Sequence, residues 1–408
     1  MSSGVTQVDP DVVPLTEPAD GVGDVVSTPQ AFARVVDAFG AGSGPVAADA
    51  ERASGYRYGQ STYLVQLRRA GAGTALLDPI GLPDMSRLAD AVGPAEWVLH
   101  AASQDLPGLA EHGLLPPRVF DTELAARLLN LPRVGLAAVV AETLGLGLAK
   151  EHSAVDWSTR PLPTDWLRYA ALDVEVLVEV RDVLAARLEE AGKAEWAAQE
   201  FEHVRTLPPP APRPDPWRRT SGTHTVKNRR GLAVVRSLWE ARERNARERD
   251  VSPGRVLPDR AIVAAAKALP RTAGQLAAVP EFATKGARRR ITAWQRAIDA
   301  ALALPEVELP PVRGPRTDGP PQPRTWGDRD PVAARRLQAA REIIAELSET
   351  HAVPAENLLQ PDAMRRLCWS PPAPAGPEDI ADFLRGRRAR EWQVDLVADR
   401  FARAFADV

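Results

Sequence analysis

Proline decides how this chain can be divided. Two stretches, LPPPAPRPDP at 207–216 and LPPVRGPRTDGPPQPR at 309–324, carry too many prolines for helix or sheet, because each ring removes a backbone donor and locks φ. Such segments are semi-rigid linkers. At the other end, residues 1–26 hold Asp9, Asp11, Glu17, Asp20 and Asp24 but no Lys or Arg, the reverse of a secretory or transit peptide. The expected order is a disordered acidic tail at 1–26, a module at 27–206, a linker at 207–222, a second module at 223–307, a linker at 308–325 and a third module at 326–408.

The 408 residues are 44% hydrophobic, enough for buried cores. No segment approaches the roughly 18 consecutive apolar residues of a membrane span. Cys368 is the single cysteine, so no internal disulfide forms, and no Cys/His cluster has zinc-ligand spacing; both point to a reducing, cytoplasmic setting. The net charge of -3 hides an asymmetry. Residues 221–300 hold 17 Lys/Arg against 7 Asp/Glu, a basic module joined to an acidic one, which suits polyanion binding beside a site that collects cations. A solvated Arg-rich helix surface explains the same numbers.

The first module mixes two periods. A helical pattern at 29–39, with Thr28 as N-cap, precedes extended stretches at 45–50, 61–68 and 74–78 and an apolar run at 96–101; helical patterns follow at 103–112, 121–129, 134–145 and 164–191. Strands followed by helices alternating with strands predict a mixed α/β sheet. The second and third modules read as all-helical and resemble each other: VSPGRVLPDRAI at 251–262 parallels VPAENLLQPDAM at 353–364, each between two helices. A duplicated helical module is the economical account.

Carboxylates stand at three suggestive places. In GPVAADAE, 44–51, Asp49 and Glu51 leave the same face of a strand and repel; solvent, Arg52 or a cation must separate them. Asp105 falls in the first turn after the apolar run, where a favourable helix dipole would also account for it. In WLRYAALDVEVL, 166–177, Tyr169 and Asp173 share a helix face four residues apart, and a surface pair is the simpler explanation of either alone. His100, at the end of the apolar run, is a structural histidine or a substrate contact. Asp121 in FDTEL has the position of a helix N-cap.

Together, Asp-x-Glu ending an early strand, an Asp just after a later strand and Tyr-x-x-x-Asp on a helix resemble the motif set of the DEDD exonucleases, in the Tyr-containing subclass. YRYGQSTYLVQL, LLDPIGL, LHAASQDL, FDTELAARLL and DWSTRPLPTDWLRYAALDV resemble ribonuclease D, over roughly 27–205. The helical modules resemble HRDC domains, and a nuclease followed by two of them is that family's arrangement. The resemblance implies an α/β ribonuclease H-like mixed-sheet domain plus two all-α HRDC bundles.

It also implies a metal-dependent 3′–5′ exoribonuclease acting on RNA with a free 3′ end, such as tRNA precursors, and working as a monomer. Hydrolysing a phosphodiester requires a nucleophile from water and relief of charge on the phosphoryl oxygens, which two divalent cations about 3.5–4 Å apart supply. Carboxylates without Cys or His suit Mg²⁺ or Mn²⁺ rather than zinc. By the resemblance Asp49 bridges both ions, Glu51 and Asp173 complete one site, Asp105 supports the other, and Tyr169 orients the attacking water. For RNA, the candidates are Lys285, Arg288, Arg289 and Arg290, then Arg229 and Arg230, with His100 and Arg160 near the cleft; Lys150 and Trp157 share the loop of Arg160. RASGYRYG after Glu51 departs from the aromatic and Thr that family members often carry there, which puts contacts to the terminal nucleotide in question. A 3′–5′ DNA exonuclease and a non-catalytic nucleic-acid-binding protein are the alternatives.

Overall fold

The computed structural model describes residues 12–148, 152, 154–209, 211–314 and 319–408. Its centre is β3, Ser43–Arg52, a long strand whose alternation sends two sets of side chains to opposite faces. Val46, Ala48 and Ala50 join one core with Phe32 and Phe39 of α1 (Pro29–Ala41) and Leu88 of α2 (Ser86–Val92). Ala47 joins another with Phe120, Val140 and Val176. Asp49 and Glu51 continue the row of Ala47, where the core gives out into a cleft.

The sheet runs β2 (Val25–Val26), β5 (Gly73–Leu77), β4 (Thr62–Ala70), β3, β6 (Glu96–Leu99), β7 (Arg118–Asp121). Strands β3, β4 and β5 form an antiparallel meander; β6 and β7 extend it in parallel. Helices α3 (Leu106–Glu111), α4 (Thr122–Leu128), α5 (Leu136–Leu144), α6 (Thr164–Glu175), α7 (Leu177–Glu190) and α8 (Ala194–Arg205) complete the first module.

Two differences from the sequence reading stand out in this module. Residues 12–26 of the acidic segment are not a disordered tail: β1 (Val13–Leu15) pairs with β8 (Leu146–Leu148) and β2 pairs with β5, because edge strands offer free backbone partners. Asp20 and Glu17 are used as counter-ions, for Arg68 at 2.6 Å and Arg168 at 2.9 Å. The helix expected over 164–191 breaks at Val176 into α6 and α7.

The second module has its own core around Leu232, Val235, Ile262, Phe282 and Trp294. The third does not: Trp326, Leu337, Leu367 and Phe401 belong to the same apolar cluster as Phe120, Leu184 and Phe201 of the first module. Across that boundary Trp196 stacks on Trp392 at 4.6 Å, and Glu200 accepts from Arg390 at 2.6 Å and from the Trp392 indole at 3.0 Å. Both helical modules share an order of long helix (Arg229–Glu248; Pro331–His351), single turn (Pro253–Val256; Ala355–Leu358) and shorter helix (Asp259–Ala268; Pro361–Trp369).

Candidate active site

The cleft of about 450 Å³ at the end of β3 is where the predicted carboxylates meet. Asp49, Glu51 and Asp173 bring one oxygen each to within 4.8 Å of one another. Asp105 and Tyr169 line the same cleft. Asp49 and Glu51 arrive from the strand, Asp105 from the turn after β6, and Tyr169 and Asp173 from one face of α6.

Small side chains make this possible. Ala170 and Ala171 of α6 are fully buried, so the helix lies close to the sheet. At α3, the Gly108 Cα approaches Thr62 so closely that a Cβ there would sit 2.4 Å from its hydroxyl. Asp105 is the residue before α3, but its side chain makes no capping bond, which leaves the carboxylate free for the cleft rather than for the helix N-terminus.

The crowding is electrostatically expensive. Burial, then the charges of Asp49, Asp173 and Asp105, push the Glu51 carboxyl up to about 10. Burial and Asp49 push Asp105 up to about 8, against the pull of Arg52. Asp49 and Asp173 are raised as well, both chiefly by burial. Burial and the same carboxylates raise the Tyr169 phenol, so it stays protonated, a donor to Asp173. Four carboxylates so placed share, among the described residues, a single neighbouring cation, Arg52, and their all-oxygen donor set fits hard divalent cations. These residues would hold such ions.

One neighbour escaped the sequence reading, and two others make contacts it did not foresee. Gln66, fully buried opposite Asp49 on β4, donates to its carboxylate at 2.9 Å; only the strand register shows it. Arg52 pairs with Asp105 at 3.5 Å and donates to the Gln104 carbonyl. Asp121 caps α4 as expected, through the amides of Glu123 and Leu124, yet also accepts from those of Ala101 and Ala102 in the turn that leads to Asp105.

His100 lines the cleft, and its Nδ1 lies 2.8 Å from the Thr122 hydroxyl. The same hydroxyl lies 3.2 Å from the Leu99 carbonyl. Burial pushes the imidazole down to about 4, and the ring is neutral at physiological pH.

The other candidates for RNA contact are engaged within the chain to different degrees. Arg160 is locked bidentate on Asp78, 2.8 Å for each contact, and bonds the carbonyls of Tyr63 and Trp157; its donors are spent holding the loop. Arg230 donates to the Leu302 and Leu304 carbonyls, and Arg229 to those of Glu306 and Leu309. Both satisfy backbone oxygens at and beyond the end of helix Ile291–Ala303, as cations do at C-termini. Arg290 donates to Asn245, while Arg288 and Arg289 are exposed. The Lys285 side chain and Lys150 lie outside the described residues. Trp157 is fully buried against Trp166 and Tyr169.

The loop after β3 serves a different purpose from substrate contact alone. Ser252 donates to the Tyr56 carbonyl at 2.8 Å, Tyr58 donates to Asp250 at 3.2 Å, and Arg255 bonds the Gly55 carbonyl while lying 4.0 Å over the Tyr56 ring. Arg57 reaches Ser158 at 2.7 Å in the loop before α6. The second module therefore docks on the segment that follows Glu51.

A 3′–5′ exonuclease family model matches residues 24–189, an HRDC model 231–298 and a model for the C-terminal domain of 3′ to 5′ exonucleases 319–405. Ribonuclease D of Pseudomonas paraeruginosa is 31% identical over 328 residues, 79% of this chain and 84% of the relative. The chain belongs to the ribonuclease D family. It is a 3′–5′ exoribonuclease with a mixed-sheet nuclease domain and a helical HRDC domain. Among solved structures, a protein from Bifidobacterium adolescentis is 41% identical with a TM-score of 0.89, covering 97% of this chain and 100% of that one. Escherichia coli RNase D, an exoribonuclease involved in structured RNA processing, is 27% identical with a TM-score of 0.65 over 94% of this chain and 98% of that one. One HRDC match stands where two were expected. The third module matches the exonuclease C-terminal model instead, in keeping with a surface rebuilt around Trp392 and Arg390 to share the nuclease core.

Proposed function

We propose that this ribonuclease D-family chain trims the 3′ ends of structured RNA, tRNA precursors among them, and releases 5′-mononucleotides with two Mg²⁺ or Mn²⁺ ions. The observation that carries this reading is the meeting of Asp49, Glu51 and Asp173 oxygens within 4.8 Å in a cleft that Asp105 and Tyr169 also line. When bound, the ions acidify water and offset charge building on the phosphoryl oxygens.

The chain's own groups do the rest. Asp49, tethered by Gln66, would hold the ions together with Glu51 and Asp173, and Asp105 would support them from the turn after β6. Tyr169, protonated and directed at Asp173, orients the attacking water rather than removing its proton. His100, a neutral ring, stands at the cleft wall. Arg288 and Arg289, exposed at the edge of the basic HRDC module, are the better candidates for RNA phosphates, an attraction that weakens steeply with salt. The shared helix order supports reading the third module as a diverged copy of the second.

The test is incubation of the full chain with 3′-labelled tRNA precursor and matched single-stranded DNA, with and without Mn²⁺ or Mg²⁺. Stepwise 3′ shortening of RNA, dependent on the ion and absent in Asp49→Ala, is expected; equal shortening of both nucleic acids would refute the RNA specificity.

A further inference from the structure

Among the described residues lining the cleft, Arg52 is the one cation, set against Asp49, Glu51, Asp105 and Asp173. Its presence there is not what strand alternation dictates, since Arg52 follows Glu51 and ought to face away. The ladder slips at this point: Glu51 opposes Leu64 but Arg52 opposes Thr62, leaving Tyr63 as the extra residue. Bulges of this kind add twist and re-aim side chains beside active sites. The guanidinium ends 3.5 Å from Asp105, bonded to the Gln104 carbonyl, and stays 24% exposed to the cleft.

We propose that Arg52 positions the substrate by exchanging anions: it rests on Asp105 in the metal-free enzyme and takes an RNA phosphate when the site is loaded. The proposal rests on the exonuclease reading above. Once Asp105 held a divalent cation, Arg52 would lose its counter-ion and face a like charge. The nearest anion then arriving in the cleft is the phosphodiester, for which a planar five-donor group is the better-matched cation than an ammonium.

The test compares wild type, Arg52→Gln and Arg52→Lys on a 3′-hydroxyl oligoribonucleotide with Mn²⁺, alongside calorimetric Mn²⁺ titration without RNA and far-UV dichroism to verify folding. For Arg52→Gln, KM should rise about tenfold or more while kcat stays within about threefold, the signature of lost binding rather than lost chemistry. Arg52→Lys should fall between the two. Mn²⁺ should bind Arg52→Gln at least as tightly as wild type, because no guanidinium has to leave Asp105. An unchanged KM in a folded Arg52→Gln overturns the proposal, and so does weaker Mn²⁺ binding, which would make Arg52 a support of the carboxylates. Absence of Mn²⁺-dependent RNA shortening in wild type would instead overturn the exonuclease reading beneath it.

Discussion

Glu51 carries a protonation penalty that has a definite sign. Carboxylates ordinarily titrate near 4, whereas burial and neighbouring charge raise Glu51 to about 10 and Asp105 to about 8. Above pH 4 the folded protein retains protons that the unfolded chain has released, so the unfolded state binds fewer and stability falls as pH rises through the folded values. Without metal, Tm should therefore decline between pH 5 and pH 9, and added Mn²⁺ should reverse the decline, as scanning calorimetry would show; a flat metal-free profile counts against the buried cluster. Glu51→Gln should melt higher than wild type at pH 8 without metal, lose most of the Mn²⁺-induced shift, and lose activity by more than about a hundredfold. Tyr169→Phe separates the roles: turnover should drop about a hundredfold, while calorimetric Mn²⁺ affinity remains that of wild type.

At the level of elements, the turn between β6 and α3 depends on groups far from it in sequence. Ala101 holds a left-handed backbone, φ 58°, unusual for a residue with a Cβ, and the Asp121 carboxylate stabilises it by accepting from Ala101 and Ala102 at 3.1 and 2.8 Å. Asp121→Ala should cost about 3 kcal/mol in denaturant unfolding, more than an ordinary lost N-cap, because two helix amides and two turn amides lose their acceptor. Gly108→Ala tests the other side of the same turn: a methyl 2.4 Å from Thr62 forces α3 outward, and Mn²⁺ affinity should weaken with Asp105 displaced. Asp121 stands inside a recognisable sequence block and Gly108 just beyond one, but neither the second use of Asp121 nor the close approach of Gly108 has any local pattern.

For the whole molecule, the two helical modules stand in different relations to the nuclease. The third completes the nuclease core, so its removal exposes Phe201 and Leu184 and should yield an aggregating chain rather than a trimmed enzyme. Arg390→Ala leaves the Glu200 charge buried without its ion-pair partner, and a loss of about 3–5 kcal/mol is expected in chemical denaturation. The HRDC module has a separate core and meets the nuclease mainly through polar contacts to residues 55–58, close behind Glu51.

What the sequence determined by itself was chemistry and order. Asp49, Glu51, Asp105, Tyr169 and Asp173 were legible because strand and helix periods place them on faces, and because their spacing resembles a known motif set. The change of apolar period along the chain predicted a mixed sheet followed by helices. The tertiary structure decided everything that depends on which partner arrives from a distance. Arg229, Arg230 and Arg160 look like polyanion ligands in sequence, since charge is visible there but the carbonyl or carboxylate that consumes it is not. Residues 12–26 look like a tail until sheet edges recruit them. The third module looks independent until its apolar face finds the nuclease core. Arg52 was visible as a nearby charge, but only a slipped strand register brings it into the cleft.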